Sequence, residues 1–183
     1  EEVFIRVGLP YRVVGGVRFY ERKEIKDALA YLRVLVNPRD TVSLRRIVNE
    51  PKRGIGDRAQ LALERFAARR GVSFWEAMTR VDEIEELATR SRSAVASFAE
   101  TMSALMTLAG SGAPADAVLE AALTRTGYLT VLEQSSDPQD ETRVENLAEL
   151  VAVTREFVAN ASDVTDDEAD DADVAADLTP GSL

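Results

Sequence analysis

Along most of this chain apolar residues return every three or four positions, the spacing of one face of a helix. In "RKEIKDALAYLRVLVN" the residues Ile25, Leu29, Leu32 and Val36 form one such stripe. Pro38 ends that helix, because the residue before a proline is pushed out of the helical region. Asp40 or Thr41 can cap "VSLRRIVNE", which must stop before Pro51. Asp57 can cap "RAQLALERFAARR", with Gly71 closing it. Ser73 and Glu76 have the spacing of a capping box ahead of "FWEAMTR". "SRSAVASFAETMSALMTLAG" carries Val95, Phe98, Met102, Leu105 and Met106 on one side. Pro114 suits the first turn of "ADAVLEAALTRTG", and Tyr128 to Leu132 adds a short turn. "QDETRVENLAELVAVTREFVAN" keeps Val144, Leu147, Val151 and Val158 on one face. Only the front departs from this period. "YRVVGGVRFYE" alternates around Gly15-Gly16 and predicts a β-hairpin. One hairpin and one helix cannot bury both their apolar faces, so the front piece reads as the edge of another domain.

Composition narrows the class. The 183 residues are 45% hydrophobic, enough for a core of ordinary domain size. With no cysteine and no histidine, the chain can build neither a disulfide scaffold nor the commonest zinc and general-base sites. No run reaches the roughly 18 apolar residues of a membrane span. The start has no basic segment ahead of an apolar one, so a cytoplasmic protein with no membrane partner is expected. The final stretch, residues 161–183, holds eight acids, no base and no aromatic, which predicts disorder. It lacks the glycine and glutamate positions of a calcium loop, and no metal site is expected.

The net charge of −10 is divided unevenly. Residues 1–80 hold 17 Lys/Arg against 10 Asp/Glu, and residues 81–183 hold 5 against 22. An anion-binding front with an acidic back would have this asymmetry. Within the basic half lies "NEPKRGIGDRAQLALERF". Gly54 and Gly56 allow close backbone approach, and Ile55 can plug into the core between them. A helix starts at once, so its free N–H groups and dipole favour an anion, with Lys52, Arg53 and Arg58 beside them. Backbone donors gripping one strand's phosphates, without reading bases, is the logic of a helix-hairpin-helix contact. A plain helix–helix connection would use the same glycines for turn geometry alone. In "RFYERKEIKD" the bases Arg18, Arg22, Lys23 and Lys26 surround Phe19 and Tyr20. That mixture suits single-stranded nucleic acid, although alternation along a strand would put one of the two rings in the core. No phosphate loop and no nucleophile elbow occurs. Acidic runs such as "DEIEEL" read as solvated helix faces, and Trp75 reads as a core anchor.

The block "GLPYRVVGGVRFYERKEIKDALAYLRVLVNPRDTVSLRRIVNEPKRGIGDRA" resembles one region of the UvrD/PcrA-type DNA helicases of superfamily one. "RTGYLTVLEQ" and "TRVENLAELVAVTREF" resemble its later part. The resemblance spans roughly residues 3–160, in several long blocks of the right order and spacing. It implies a mainly α fold: a multi-helix accessory domain with a helix-hairpin-helix-like GIG turn, preceded by a short β-hairpin and helix from an α/β RecA-like motor domain. Residues 1–39 would belong to motor domain 2A and residues 40–160 to accessory domain 2B, with residues 161–183 an acidic tail outside the pattern. The implied function is the DNA-binding and regulatory region of an ATP-dependent 3′-to-5′ helicase of DNA repair. Its partners would be duplex DNA, duplex–single-strand junctions and repair proteins. Lys52, Arg53, Gly54, Ile55, Gly56 and Arg58 would hold duplex backbone, and Arg22 a phosphate near the single-stranded track. The family's nucleotide-binding motifs are not in this sequence. ATP and magnesium are therefore expected in the parent protein, with no cofactor, catalytic residue or ATP hydrolysis in this stretch. The resemblance gives no role to Arg143, Glu145 or Asn146. The alternative is a helical protein-interaction module whose acidic surface binds partner proteins.

Overall fold

The computed structural model describes the backbone of residues 18–173 and the side chains of residues 18–160. Among these the chain is helical and contains no strand. A single turn, α1 (Arg18–Glu21), leads into α2 (Lys23–Val36) and α3 (Thr41–Ile47). A long turn then leads to α4 (Asp57–Arg70), and a short one to α5 (Phe74–Thr79). After a 3₁₀ turn at Val81–Glu83 come α6 (Thr89–Gly110), α7 (Ala115–Arg125), α8 (Tyr128–Glu133) and α9 (Pro138–Asp173). No described helix is long and apolar enough to cross a membrane.

The local start and stop signals act largely where the sequence puts them. Asp40 caps α3 by accepting from the Ser43 amide at 3.0 Å and the Ser43 hydroxyl at 2.7 Å. Ser73 and Glu76 close a reciprocal capping box on α5. Gly71 ends α4 in the left-handed region, at φ 65°, where a side chain would be strained. Two signals are displaced by one residue. Gly56, not Asp57, is the N-cap of α4, and Pro114 stands just before α7 rather than inside its first turn. In each case the earlier carbonyl already accepts the first helical bond: Gly56 from Gln60, Pro114 from Val118.

Helix α2 corrects the expected stripe. Ile25 is fully buried and Leu29 and Leu32 are half-buried, but Val36 is 86% exposed. The buried surface instead wraps through Ala28, Tyr31, Val34 and Leu35, and takes in Glu24 and Asp27. The reason is position, because α2 packs against α3, α6, α7 and α9 and so has little solvent face left. Its partners among the described residues lie within the helical body. One core runs from Phe19 through Ile55, Leu63, Met102 and Leu119 to Leu150. Trp75 packs on this core from a half-buried position.

Two further expectations change. The β-hairpin lies mostly outside the described residues, but Arg18–Glu21, given to its second strand, is helical. Phe19 is buried and meets Tyr20 edge-on at 5.2 Å, so a helical turn seats the ring that strand alternation was to seat. The acidic stretch was expected to be disordered, yet helix α9 continues into it as far as Asp173. Adding a residue to a formed helix is far easier than nucleating one, and no Gly or Pro interrupts the sequence before Pro180.

Candidate nucleic-acid interface

The turn between α3 and α4 is built around one side chain that sequence reading passed over. The Asn49 amide oxygen accepts the N–H of Arg53 at 2.9 Å and the N–H of Ile55 at 3.1 Å. Asparagine is suited to this because its short side chain can stand in for a backbone acceptor in a turn. Ile55 is fully buried, anchoring the middle of the turn in the core. Gly54 has φ 86°, a left-handed conformation that explains the glycine there. The Gly54 carbonyl accepts from the Ser91 hydroxyl at 3.4 Å, and the Ile55 carbonyl from the Gln60 side-chain Nε2 at 3.2 Å. The Gly54 and Ile55 carbonyls are thus engaged within the protein. The first N–H groups of α4, those of Asp57 and Arg58, have no intrahelical acceptor and lie on exposed residues.

Gly56 is a different glycine. Its φ of −75° and ψ of −178° are open to any residue. A methyl group added there would meet nothing within 4 Å. The fold supplies no steric need for glycine at this exposed position, whereas close approach by a molecule from outside would supply one.

The three bases of the turn separate into two kinds. Lys52 and Arg58 are exposed and have no ion pair among the described residues. Arg53 is turned inward. Its terminal nitrogens meet five acceptors: the carbonyls of Ile47, Glu50 and Pro51 at 2.9, 2.9 and 3.2 Å, and the Tyr31 hydroxyl and Thr126 carbonyl at 2.8 Å each. The guanidinium also lies 4.8 Å from the centre of the Phe98 ring. Tyr31 in turn donates to the Glu50 carbonyl at 2.7 Å. Burial raises the Tyr31 phenol above its ordinary value, more than the nearby Arg53 charge lowers it, so the hydroxyl stays protonated as a donor.

Arg22 sits apart from this turn, at the start of α2. Its guanidinium donates to the Asn146 amide oxygen and lies 5.6 Å from the Phe19 ring centre. Asn146, buried on α9, passes the contact on by donating to Glu24 at 2.7 Å. A second polar cluster lies one turn further along α2. Asp27 accepts from Arg46 at 2.6 Å, from the Tyr128 hydroxyl at 2.7 Å and from Lys23 at 3.1 Å. Burial alone would lower the Lys23 ammonium, but Glu50 and Asp27 outweigh it and hold its pKa above the usual value. Burial pushes the Tyr128 phenol up, and its bond to Asp27 pushes it further. Arg143 pairs with Asp140 on the wall of a shallow cleft shared with Lys23 and Tyr128, and Glu145 is exposed.

The spacing and order of these blocks can be matched to known proteins. Residues 1–170 match the model of the UvrD-like helicase C-terminal domain. The chain belongs to that family. It is 49% identical over 179 residues to "ATP-dependent DNA helicase UvrD1" of Mycobacterium tuberculosis (strain ATCC 25618 / H37Rv), covering 95% of this chain and 23% of the relative. It is 38% identical over 163 residues to "DNA helicase II" of Escherichia coli (strain K12), covering 89% and 22%. With "ATP-dependent DNA helicase PcrA" of Leuconostoc citreum it shares 37% over 157 residues, covering 86% and 21%. The chain therefore spans less than a quarter of the length of these relatives. Within this UvrD-like region, the GIG turn and the Arg22–Asn146 contact lie on separate parts of one helical body, joined through α2.

Proposed function

We propose that this chain is the DNA-binding and regulatory region of an ATP-dependent 3′-to-5′ DNA helicase acting in DNA repair, with the GIG turn holding duplex backbone. Residues 1–39 continue motor domain 2A, and residues 40–160 form accessory domain 2B. ATP and magnesium act in the parent protein, and this region supplies no catalytic group. The observation that carries the reading is the turn itself. Exposed N–H groups at the start of a 14-residue helix stand beside Lys52 and Arg58, which have no charge partner among the described residues, and beside a glycine the fold does not require. Donors of this kind fit phosphate and carry no base preference. Arg22 serves a phosphate nearer the single strand, using guanidinium donors that Asn146 leaves unused.

A salt series on a 3′-tailed duplex tests this. Affinity should fall steeply with salt, and Lys52→Ala or Arg58→Ala should each reduce the slope of log K against log salt by about one. Binding that ignores salt, or that survives the double change intact, would overturn the duplex reading and favour the helical protein-interaction module.

A further inference from the structure

We infer that Arg53 is the positioning residue of the GIG turn: it fixes the turn from beneath and makes no contact with DNA. The inference rests on the duplex-backbone reading above, and it separates one of the three clustered bases from the other two. Two of its acceptors are carbonyls at helix ends. Ile47 is the last residue of α3, and Thr126 directly follows α7. Such carbonyls carry the negative end of the helix dipole, so a guanidinium between them is favoured at both; that of Ile47 also accepts the Glu50 N–H at 3.1 Å. The Tyr31 hydroxyl adds α2, and Phe98 adds α6 as the ring beneath the cation. Arg53 thus ties the turn to four helices at once, α2, α3, α6 and α7. Its own backbone N–H is held by the same Asn49 oxygen that registers Ile55. A lysine has one nitrogen and no planar fork, so it cannot span the Ile47 and Thr126 carbonyls together.

The consequence is a turn already ordered before DNA arrives. Loss of Arg53 leaves the same donors and the same exposed bases, but they must be ordered at the moment of binding. The expected result for Arg53→Lys is a rise of about tenfold or more in exchange of the Ile55 amide in the DNA-free protein. Affinity for a 3′-tailed duplex should fall about tenfold with the salt slope unchanged, because the number of phosphates held is the same. Tyr31→Phe removes one of the five acceptors and keeps the ring, so it should give the same pattern with a smaller amplitude. It also serves if Arg53→Lys does not fold. Wild-type exchange at Ile55 in both variants would overturn the inference. So would a slope flattened by about one in Arg53→Lys, which marks a phosphate contact. The exchange measurement needs no DNA. Should wild type itself fail to bind the tailed duplex with a salt dependence, the duplex reading falls while the exchange result still decides the role of Arg53.

Discussion

Asp27 is 1% exposed and takes three donors from three different elements, so its removal leaves more than a hole. In Asp27→Ala the buried Tyr128 hydroxyl loses its acceptor, and the solvent-reaching Arg46 guanidinium loses its partner. Stability should fall by about 1–3 kcal/mol, the cost of a buried hydroxyl left without its partner, read from denaturant unfolding. Asp27→Asn keeps the shape and one acceptor oxygen and should cost less. Asp40 tests a local interaction instead. Its carboxyl is held below the usual value by the Ser43 hydroxyl and amide. Its capping contribution is therefore fully present above the unfolded value near 3.8 and is lost as pH falls through the lower folded value. Asp40→Ala should cost about 1 kcal/mol at neutral pH. The gap between the two proteins should close in unfolding curves taken at increasingly acid pH.

The GIG turn shows at the level of one element how glycine, anchor and donors divide their tasks. Gly54→Ala forces a side chain into the left-handed region and should cost about 1–2 kcal/mol. Gly56→Ala meets open space at an ordinary φ and should cost only about 0.5 kcal/mol, from the weaker cap. On the duplex reading, that same change should nonetheless weaken junction binding, because the new methyl group stands where the backbone of DNA must approach. Stability and affinity measured side by side on the two variants make the comparison. The caps at Asp40 and Ser73 and the stop at Gly71 were legible in the sequence because each bond spans only a few residues. The inward turn of Arg53 was not, because its partners Tyr31 and Thr126 lie 22 and 73 residues away. The same distance hid Asn146, whose contacts with Arg22 and Glu24 join α9 to the start of α2.

For the molecule as a whole, charge placement decides how the turn meets a polyanion. The basic residues of the turn belong to the half with 17 Lys/Arg, while α9 leads into residues carrying eight acids and no base. Those acids repel DNA over about a Debye length, roughly 10 Å at 0.1 M salt and roughly 30 Å at 0.01 M. A chain shortened to residues 1–160 should bind the tailed duplex several-fold more tightly at low salt, and equally at about 0.3 M salt. Equal affinity at every salt concentration would mean that the acidic stretch lies too far from the turn to act on it.

The helices themselves, most of their ends and the identity of the glycine-pinched turn follow from neighbouring residues. Periodicity, caps and turn residues act over one or two helical turns, so the sequence alone determines them. What only the tertiary structure decided is which residues face which way once helices meet. Val36 completes a stripe on paper yet is exposed, while Glu24 and Asp27 break the stripe yet are buried, because α2 is enclosed on several sides. Arg53 looks like its neighbours Lys52 and Arg58 in sequence, but two helix ends and a tyrosine place their acceptors beneath it. A guanidinium suits such a site because its planar fork of donors reaches acceptors from several elements at once, and no local pattern records that they will be there.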